Sequence, residues 1–430
     1  MEIVDTDTLL ALDRAFVWHP FTQMRDWIAE CHEPLLLVSG KGPWLQDSQG
    51  RRYLDGNSSI WTNIHGHRHP AIDEALKSQL EKVAHTSFLG FTNPLAVELA
   101  GRLVDLLPGS PLKKVFYSDD GSTGIEVAIK MAIQFFLQNG QPERIQFISF
   151  ENAYHGDTLG ASSLGGIGLF HDRFSSHQFP VVRAKRVEDL DTIDGAKVAA
   201  VVIEPLIQGS AGMRLWPDGM LRALRKWCDE HGSFLIFDEV MTGFGRTGKM
   251  FACLHEAVFP DLLVIAKGLT GGYLPLGATL TTERVFEGFL GAYSDLRTFF
   301  YGHSYTGNAL GCAAALANLG IFEKEQTLAL LQPKIAHLTQ RLGSLQASPF
   351  VRDIRQCGFA AGIELGRSDG EPFDWREETG ARVCAAARKY GLLTRPIRDV
   401  IVLMPPLCVS VEEIDLAVEA IGKAIEEVCQ

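Results

Sequence analysis

The sequence predicts an α/β protein: a mostly parallel sheet covered by helices on both faces, with a smaller α+β unit attached. Three observations lead there. Between about residues 113 and 280, short apolar runs alternate with helix-patterned stretches, the pattern of a parallel sheet with crossover helices. Polar residues gather where the apolar runs end. Past about residue 307 the chain changes to long helices and a few short apolar pieces.

The first stretch, with Trp18-His19-Pro20-Phe21-Thr22, lacks clear periodicity and reads as an arm. Strand-like runs follow at 114–118, 144–150, 198–203, 233–237, 262–266 and 277–280, with helical stretches such as 122–138 and 220–231 between them. Helices are expected at 308–325 and 328–345, then strand-like pieces at 360–365, 392–395 and 400–403. A closing helix at 411–428 begins with Ser410 and has Glu413 three residues on, a capping box. The expected division is 1–60 for the arm and part of a small domain, 61–320 for a large domain, and 321–430 for the rest of the small domain.

The bulk numbers narrow the function classes. The chain has 430 residues, 46% hydrophobic and 21% charged, a globular composition that excludes wholesale disorder. A net charge of −12 and a pI of about 5.6 argue against nucleic-acid and anionic-membrane partners. The acidic start, Met1 to Asp7, has no basic segment before an apolar one, so no signal peptide is expected. No uncharged apolar stretch approaches the ~18 residues of a membrane span. Eight cysteines are scattered without CxxC or zinc spacing, as expected of reduced thiols in a cytoplasmic chain.

The chemistry starts at Lys267. It ends the apolar run Leu262-Leu263-Val264-Ile265-Ala266 and is followed by Gly268, so a buried strand delivers it to the rim of a sheet. Poor solvation there lowers an ammonium pKa and leaves a nucleophilic amine. The run Phe234-Leu235-Ile236-Phe237 ends the same way in Asp238. Parallel strands ending in an acid and a lysine suit pyridoxal phosphate: the lysine forms the Schiff base and the aspartate keeps the ring nitrogen protonated. Ligands of open parallel sheets bind beyond the carboxyl ends of the strands, and here those ends carry Ser118-Asp119, Glu204, Asp238-Glu239 and Lys267.

Other segments carry two readings each. Asp119-Asp120-Gly121-Ser122-Thr123-Gly124 opens a long helix; it is either a plain cap or a phosphate cup built on helix N–H groups. Tyr154, in Tyr154-His155-Gly156-Asp157, is a surface aromatic or a platform for a cofactor ring. The segment from Gly243 to Lys249 has P-loop spacing, but Met250 stands where a Ser or Thr must bind magnesium. A substrate-side loop presenting Arg246 fits it better. His65, His67 and His69 share a face only on a strand, and Gly66 with Pro70 argues for a turn, so no metal site is expected. The loop from Tyr301 through Gly302, His303 and Ser304 to Asn308 is a helix cap or a second phosphate contact. Arg395, before Pro396, is a surface arginine or a carboxylate clamp.

These motifs together resemble the class III, fold-type I pyridoxal-phosphate aminotransferases, nearly end to end. The class signature runs from Phe237-Asp238-Glu239 through Gly243-Phe244-Gly245-Arg246-Thr247-Gly248, then Asp261 to Gly272. Within the class, Trp18-His19-Pro20-Phe21-Thr22, Ser58-Ser59-Ile60-Trp61, Asn152 to Thr158, and Arg395 with Met404-Pro405-Pro406 are similar to the branch that aminates 8-amino-7-oxononanoate to 7,8-diaminononanoate for biotin. The resemblance implies that Lys267 bonds the cofactor, Asp238 pairs with its ring nitrogen, Gly121 and Ser122 bind phosphate, and Tyr154 stacks on the ring. His303 and Ser304, with Gly302, would reach the site of a second copy, which implies a homodimer with shared sites. Trp61 would line the substrate tunnel and Arg395 would take the acceptor carboxylate. Phe21 and Ile60 stand where the better-known members have a tyrosine and a tryptophan, and resemble instead a branch that uses lysine as amino donor. The donor is therefore S-adenosylmethionine or lysine. Other class III enzymes acting on ω-amino acids, or a non-catalytic binding protein on the same fold, are the competing readings; intact Lys267 and Asp238 argue against the latter.

Overall fold

A computed structural model of the chain describes residues 5–29 and 32–430; Cys31 lies outside them. The arm contains a helix, Thr6–Phe16, which the sequence pattern did not indicate. Its cap, Asp5, accepts bonds from the backbone N–H groups of Asp7 and Thr8, and none of its residues is buried.

Three short antiparallel strands follow: β1 (Leu37–Lys41), β2 (Trp44–Asp47) and β3 (Arg52–Asp55). The central strands are β4 (Leu112–Ser118), β5 (Gln146–Phe150), β6 (Val181–Ala184) and β7 (Val198–Ile203). After a small hairpin, β8 (Ile207–Gln208) and β9 (Arg214–Leu215), come β10 (Phe234–Asp238), β11 (Leu262–Ile265) and β12 (Gly277–Thr282). The seven-stranded sheet runs β4-β12-β11-β10-β7-β5-β6. Its strands are mutually parallel except β12, which is antiparallel to both neighbours. Every residue of β7, β10 and β11 is buried, which explains their continuous apolar composition: a strand covered on both faces has no polar side to alternate with.

The C-terminal strands are β13 (Val351–Cys357), β14 (Ala360–Leu365), β15 (Leu392–Leu393), β16 (Pro396–Ile397) and β17 (Val400–Leu403). Four of them form a second sheet in the order β13-β14-β17-β16. The fifth, β15, pairs in parallel with β3, so the N-terminal meander and the C-terminal part share one sheet. The closing helix, Val411–Cys429, carries the expected capping box between Ser410 and Glu413. No described helix is long and apolar enough to cross a membrane.

Candidate active site

The parallel pairing of β10 with β11 sets Asp238 beside Val264. Lys267 comes three residues later, so acid and lysine emerge at the same sheet edge. Lys267 has φ +44, and the turn Lys267–Thr270 ends in Gly271 and Gly272, both at positive φ. A left-handed lysine is strained, at about 1–3 kcal/mol, and its surroundings hold it there. From the helix Ala309–Lys324, buried Asn318 donates its Nδ2 to the Gly268 and Leu269 carbonyls at 3.0 Å each. A Cβ on Gly272 would come within 2.8 Å of the Asn63 backbone, so only glycine fits that packing.

Burial lowers the Lys267 pKa; Asp238 and Glu204 oppose the shift and the Arg246 cation adds to it. The amine is thereby made more nucleophilic. Its Nζ lies 4.7 Å from the centroid of the Trp61 ring. Asp238 is buried, and its Oδ2 lies 2.7 Å from His155 Nδ1 while Oδ1 accepts from the Val240 N–H at 3.1 Å. Glu204 accepts bonds from the Tyr154 N–H (3.1 Å) and the Gly209 N–H (2.9 Å). Burial, helped by the nearby Asp238 charge, pushes its carboxyl up to about 7.

The anion cup is the N-terminus of the helix Gly121–Gln138. Asp120 and Thr123 form a reciprocal cap, which leaves the earlier N–H groups of the turn for a ligand. A Cβ on Gly121 would approach Val240 Cγ1 to 2.7 Å. Ser122 Oγ accepts from the Asp157 N–H at 3.3 Å, and the Tyr154 hydroxyl donates to Asp157 at 2.7 Å.

The far wall has an unusual backbone. Ser58, Ser59, Ile60 and Trp61 all have positive φ, between 45° and 84°. A left-handed turn of L-residues costs about 1–2 kcal/mol per residue. It is closed by bonds from the Ile60 and Trp61 N–H groups to the Asn57 carbonyl, at 3.0 and 2.9 Å, and by the Trp61 indole donating to Asn57 Oδ1 at 2.9 Å.

A single cavity of about 1560 Å³ gathers Phe21, Ile60, Trp61, Gly121, Ser122, Tyr154, Asp238, Lys267 and Arg395. Arg246 does not belong to it. Its guanidinium is buried and donates to the Pro405 carbonyl at 2.5 Å and the Asn63 carbonyl at 2.8 Å. It is an internal strut, with no carboxylate paired to it among the described residues, and burial lowers its pKa to about 9. Its loop curls back into the core instead of facing substrate. Gly302, His303 and Ser304 also lie off this chain's cavity. Gly302 and Ser304 are exposed, and His303 Nδ1 sits 3.0 Å from Asp119 Oδ2. Glu239, although next to Asp238, points the other way and accepts from the Ala252 and Cys253 N–H groups. Alternation along the chain turns neighbouring residues to opposite faces.

The three histidines of 65–69 divide. His67 lies 3.0 Å from Asp55, His69 reaches Glu325 at 3.2 Å, and His65 packs edge-on against Phe322. His155 is the residue the sequence reading passed over as a partner of Asp238, although it stands within the Tyr154-His155-Gly156-Asp157 motif. Asn318 and Asp55 left no local signal, because their partners are 49 to 50 residues away in one case and lie on an unanticipated turn in the other.

Residues 28–425 match the family described as Aminotransferase class-III. A relative from Geobacter sulfurreducens, named adenosylmethionine-8-amino-7-oxononanoate aminotransferase, is 48% identical over 99% of this chain and 98% of its own. The crystal structure of the enzyme of that name from Methanocaldococcus jannaschii superposes with a TM-score of 0.96 at 41% identity, covering 99% of this chain and 100% of that one. An (S)-enantioselective omega-transaminase from Thermomicrobium roseum gives 0.93 at 32% identity, over the full length of both.

Burial holds the His65 pKa down at about 3. In the unfolded chain it would titrate near 6.5. Below that pH the unfolded state takes up a proton that the folded state refuses, so stability falls as pH drops from 6.5 towards 3. Between pH 7 and pH 5 this amounts to about 2 kcal/mol. His65→Gln should lose correspondingly less over that interval. Urea unfolding of both proteins at the two pH values measures the difference, and equal losses would contradict the assignment.

Proposed function

Because the chain belongs to the class-III aminotransferases, we propose that it transfers an amino group to 8-amino-7-oxononanoate, forming 7,8-diaminononanoate for biotin. The observation that carries the reading is one cavity holding a buried lysine and aspartate at adjacent strand ends together with Arg395 and Trp61.

The enzyme is a pyridoxal-phosphate transaminase, and its residues fit that cofactor. Lys267 would bond it, Asp238 would face its ring nitrogen, and Gly121 and Ser122 would meet its phosphate. When bound, pyridoxal phosphate supplies an aldehyde for amine exchange and an electron-poor ring that stabilises charge when a substrate C–H proton is removed. The chain's own groups do the rest. Lys267 Nζ, kept from full hydration, accepts and returns that proton. Asp238, held by His155 at 2.7 Å, would accept a bond from the proton-bearing ring nitrogen of the cofactor. Tyr154 packs at the cavity wall, its backbone anchored to Glu204.

Arg395 lines the cavity. A guanidinium there suits a substrate carboxylate bidentately. Phe21 and Ile60 supply an apolar surface that accepts the methylene stem of lysine, whereas the adenine and sulfonium of S-adenosylmethionine favour aromatic faces and hydrogen bonds. Lysine is accordingly a competent donor beside S-adenosylmethionine, the donor in the relatives' names. The seven described cysteines are unpaired thiols, which supports a cytoplasmic setting.

Gly302, His303 and Ser304 serve a second copy. Phe300 and Tyr305, which flank them in the chain, are 72% and 61% exposed, an apolar surface that a second copy would cover.

Three outcomes follow. Mixing the cofactor-loaded protein with lysine or S-adenosylmethionine, one at a time, should convert the cofactor to its amine form with both; Lys267→Ala should do so with neither at a measurable rate. An S-adenosylmethionine preference above about 100-fold in kcat/KM, ~2.7 kcal/mol, would remove lysine from the reading. Arg395→Ala should raise the acceptor KM about ten- to a hundredfold and leave the donor's nearly unchanged, since a charge-assisted pair stabilises by ~1.5–3 kcal/mol; equal effects on both would displace it from an acceptor site. Light scattering should give twice the 47.3 kDa chain mass, and a monomer that turns over would overturn the shared site.

A further inference from the structure

We infer that Asp55 is a positioning residue: it clamps the left-handed turn that carries Ile60 and Trp61 into the cavity and thereby sets the fit of the acceptor. The inference rests on the reading of Trp61 as part of the acceptor wall.

Asp55 ends β3 and is 1% exposed. It accepts two bonds from one residue of the turn, the Ser59 N–H on Oδ1 at 3.0 Å and the Ser59 hydroxyl on Oδ2 at 2.9 Å. His67 Nε2 closes on Oδ2 at 3.0 Å. Ser59 sits in the middle of the positive-φ run, so the clamp grips the backbone where an L-residue would most readily relax to another conformation. The run contains no glycine, so nothing in its own chemistry favours that shape. External bonds must hold it.

The clamp is tied to the other side of the cavity. Asp55 is in register with Leu393 in the parallel β3–β15 pair. The Gly56 N–H donates to the Leu393 carbonyl at 2.9 Å, the Met404 N–H donates to the Gly56 carbonyl at 2.8 Å, and the Ser58 hydroxyl donates to the Met404 carbonyl at 2.6 Å. Arg395 follows Leu393 by two residues. The wall with Trp61 and the segment that presents Arg395 are therefore stitched into one unit, while Lys267 and Asp238 ride on the central sheet. Loosening the turn displaces Trp61, with Ile60 beside it, and spares the residues that hold the cofactor.

The test is Asp55→Asn, which keeps the shape but leaves one side-chain atom unable to accept, with Ser59→Ala as a milder variant that removes one clamp bond. Both are measured in the loaded enzyme. Borohydride trapping should still mark Lys267, and the donor half-reaction, which meets Ile60 on this turn but not Trp61, should weaken less than the acceptor's. The KM for 8-amino-7-oxononanoate should rise about tenfold in Asp55→Asn, the scale of a lost hydrogen bond to a charged group, and less in Ser59→Ala. Because Asp55 acts through Trp61, the increase should vanish in a Trp61→Ala background. Tryptophan emission should shift in Asp55→Asn and not when the same change is made in Trp61→Phe. Equal losses in both half-reactions, an effect that adds fully to Trp61→Ala, or unchanged emission would overturn the clamp. If Asp55→Asn does not fold, Ser59→Ala decides by the same criteria. If Trp61→Ala leaves the acceptor KM unchanged, it is the wall reading that fails, and emission alone judges the clamp.

Discussion

Keeping an amine buried at the edge of a parallel sheet is the constraint on which the site depends. An ammonium ion is costly to desolvate, so Lys267 is held where its proton is easily lost, with Asp238 and Glu204 near enough to moderate the shift. The arrangement requires β10 and β11 to be parallel and in register, since that pairing alone brings the two strand ends together. It also requires the turn after β11 to be braced from outside, which Asn318 does through two carbonyls. Arg246 contributes a buried positive charge to the same region while its hydrogen bonds tie Asn63 to Pro405.

Two stretches of strained backbone border the cavity. Lys267 and the four residues Ser58 to Trp61 are left-handed without being glycine, and every one of them presents a side chain that is used: two hydroxyls in anchoring bonds, Ile60 and Trp61 in the wall, Lys267 in the chemistry. Glycine would relieve the backbone at the expense of those side chains. The cost is borne by the β3–β15 pairing and the buried acceptors around it, which is how a folded protein keeps a conformation that the local chain disfavours.

The fold does not choose the substrate. The chain superposes closely on an enzyme named for 8-amino-7-oxononanoate and almost as closely on an omega-transaminase. Phe21, Ile60, Trp61 and Arg395 of the cavity wall come from the arm, the N-terminal turn and the C-terminal part of the chain. Function on a shared fold is decided by such grafted residues.

Read alone, the sequence determined the central alternation, the strand ends, Lys267 beside Asp238, and the glycine-opened helix at Gly121. Each is written in a local pattern: a doubly covered strand has a continuous apolar run, and a strand end is where that run stops. The three-stranded N-terminal meander escaped because its strands show little alternation between buried and exposed positions. Only the tertiary structure decided that Arg246 turns inward, that Gly302, His303 and Ser304 leave this chain's cavity, that His155 meets Asp238, that Asn318 braces the turn after Lys267, and that Asp55 grips Ser59. Direction of a side chain and contacts across hundreds of residues depend on packing, and a linear pattern of residue types carries neither.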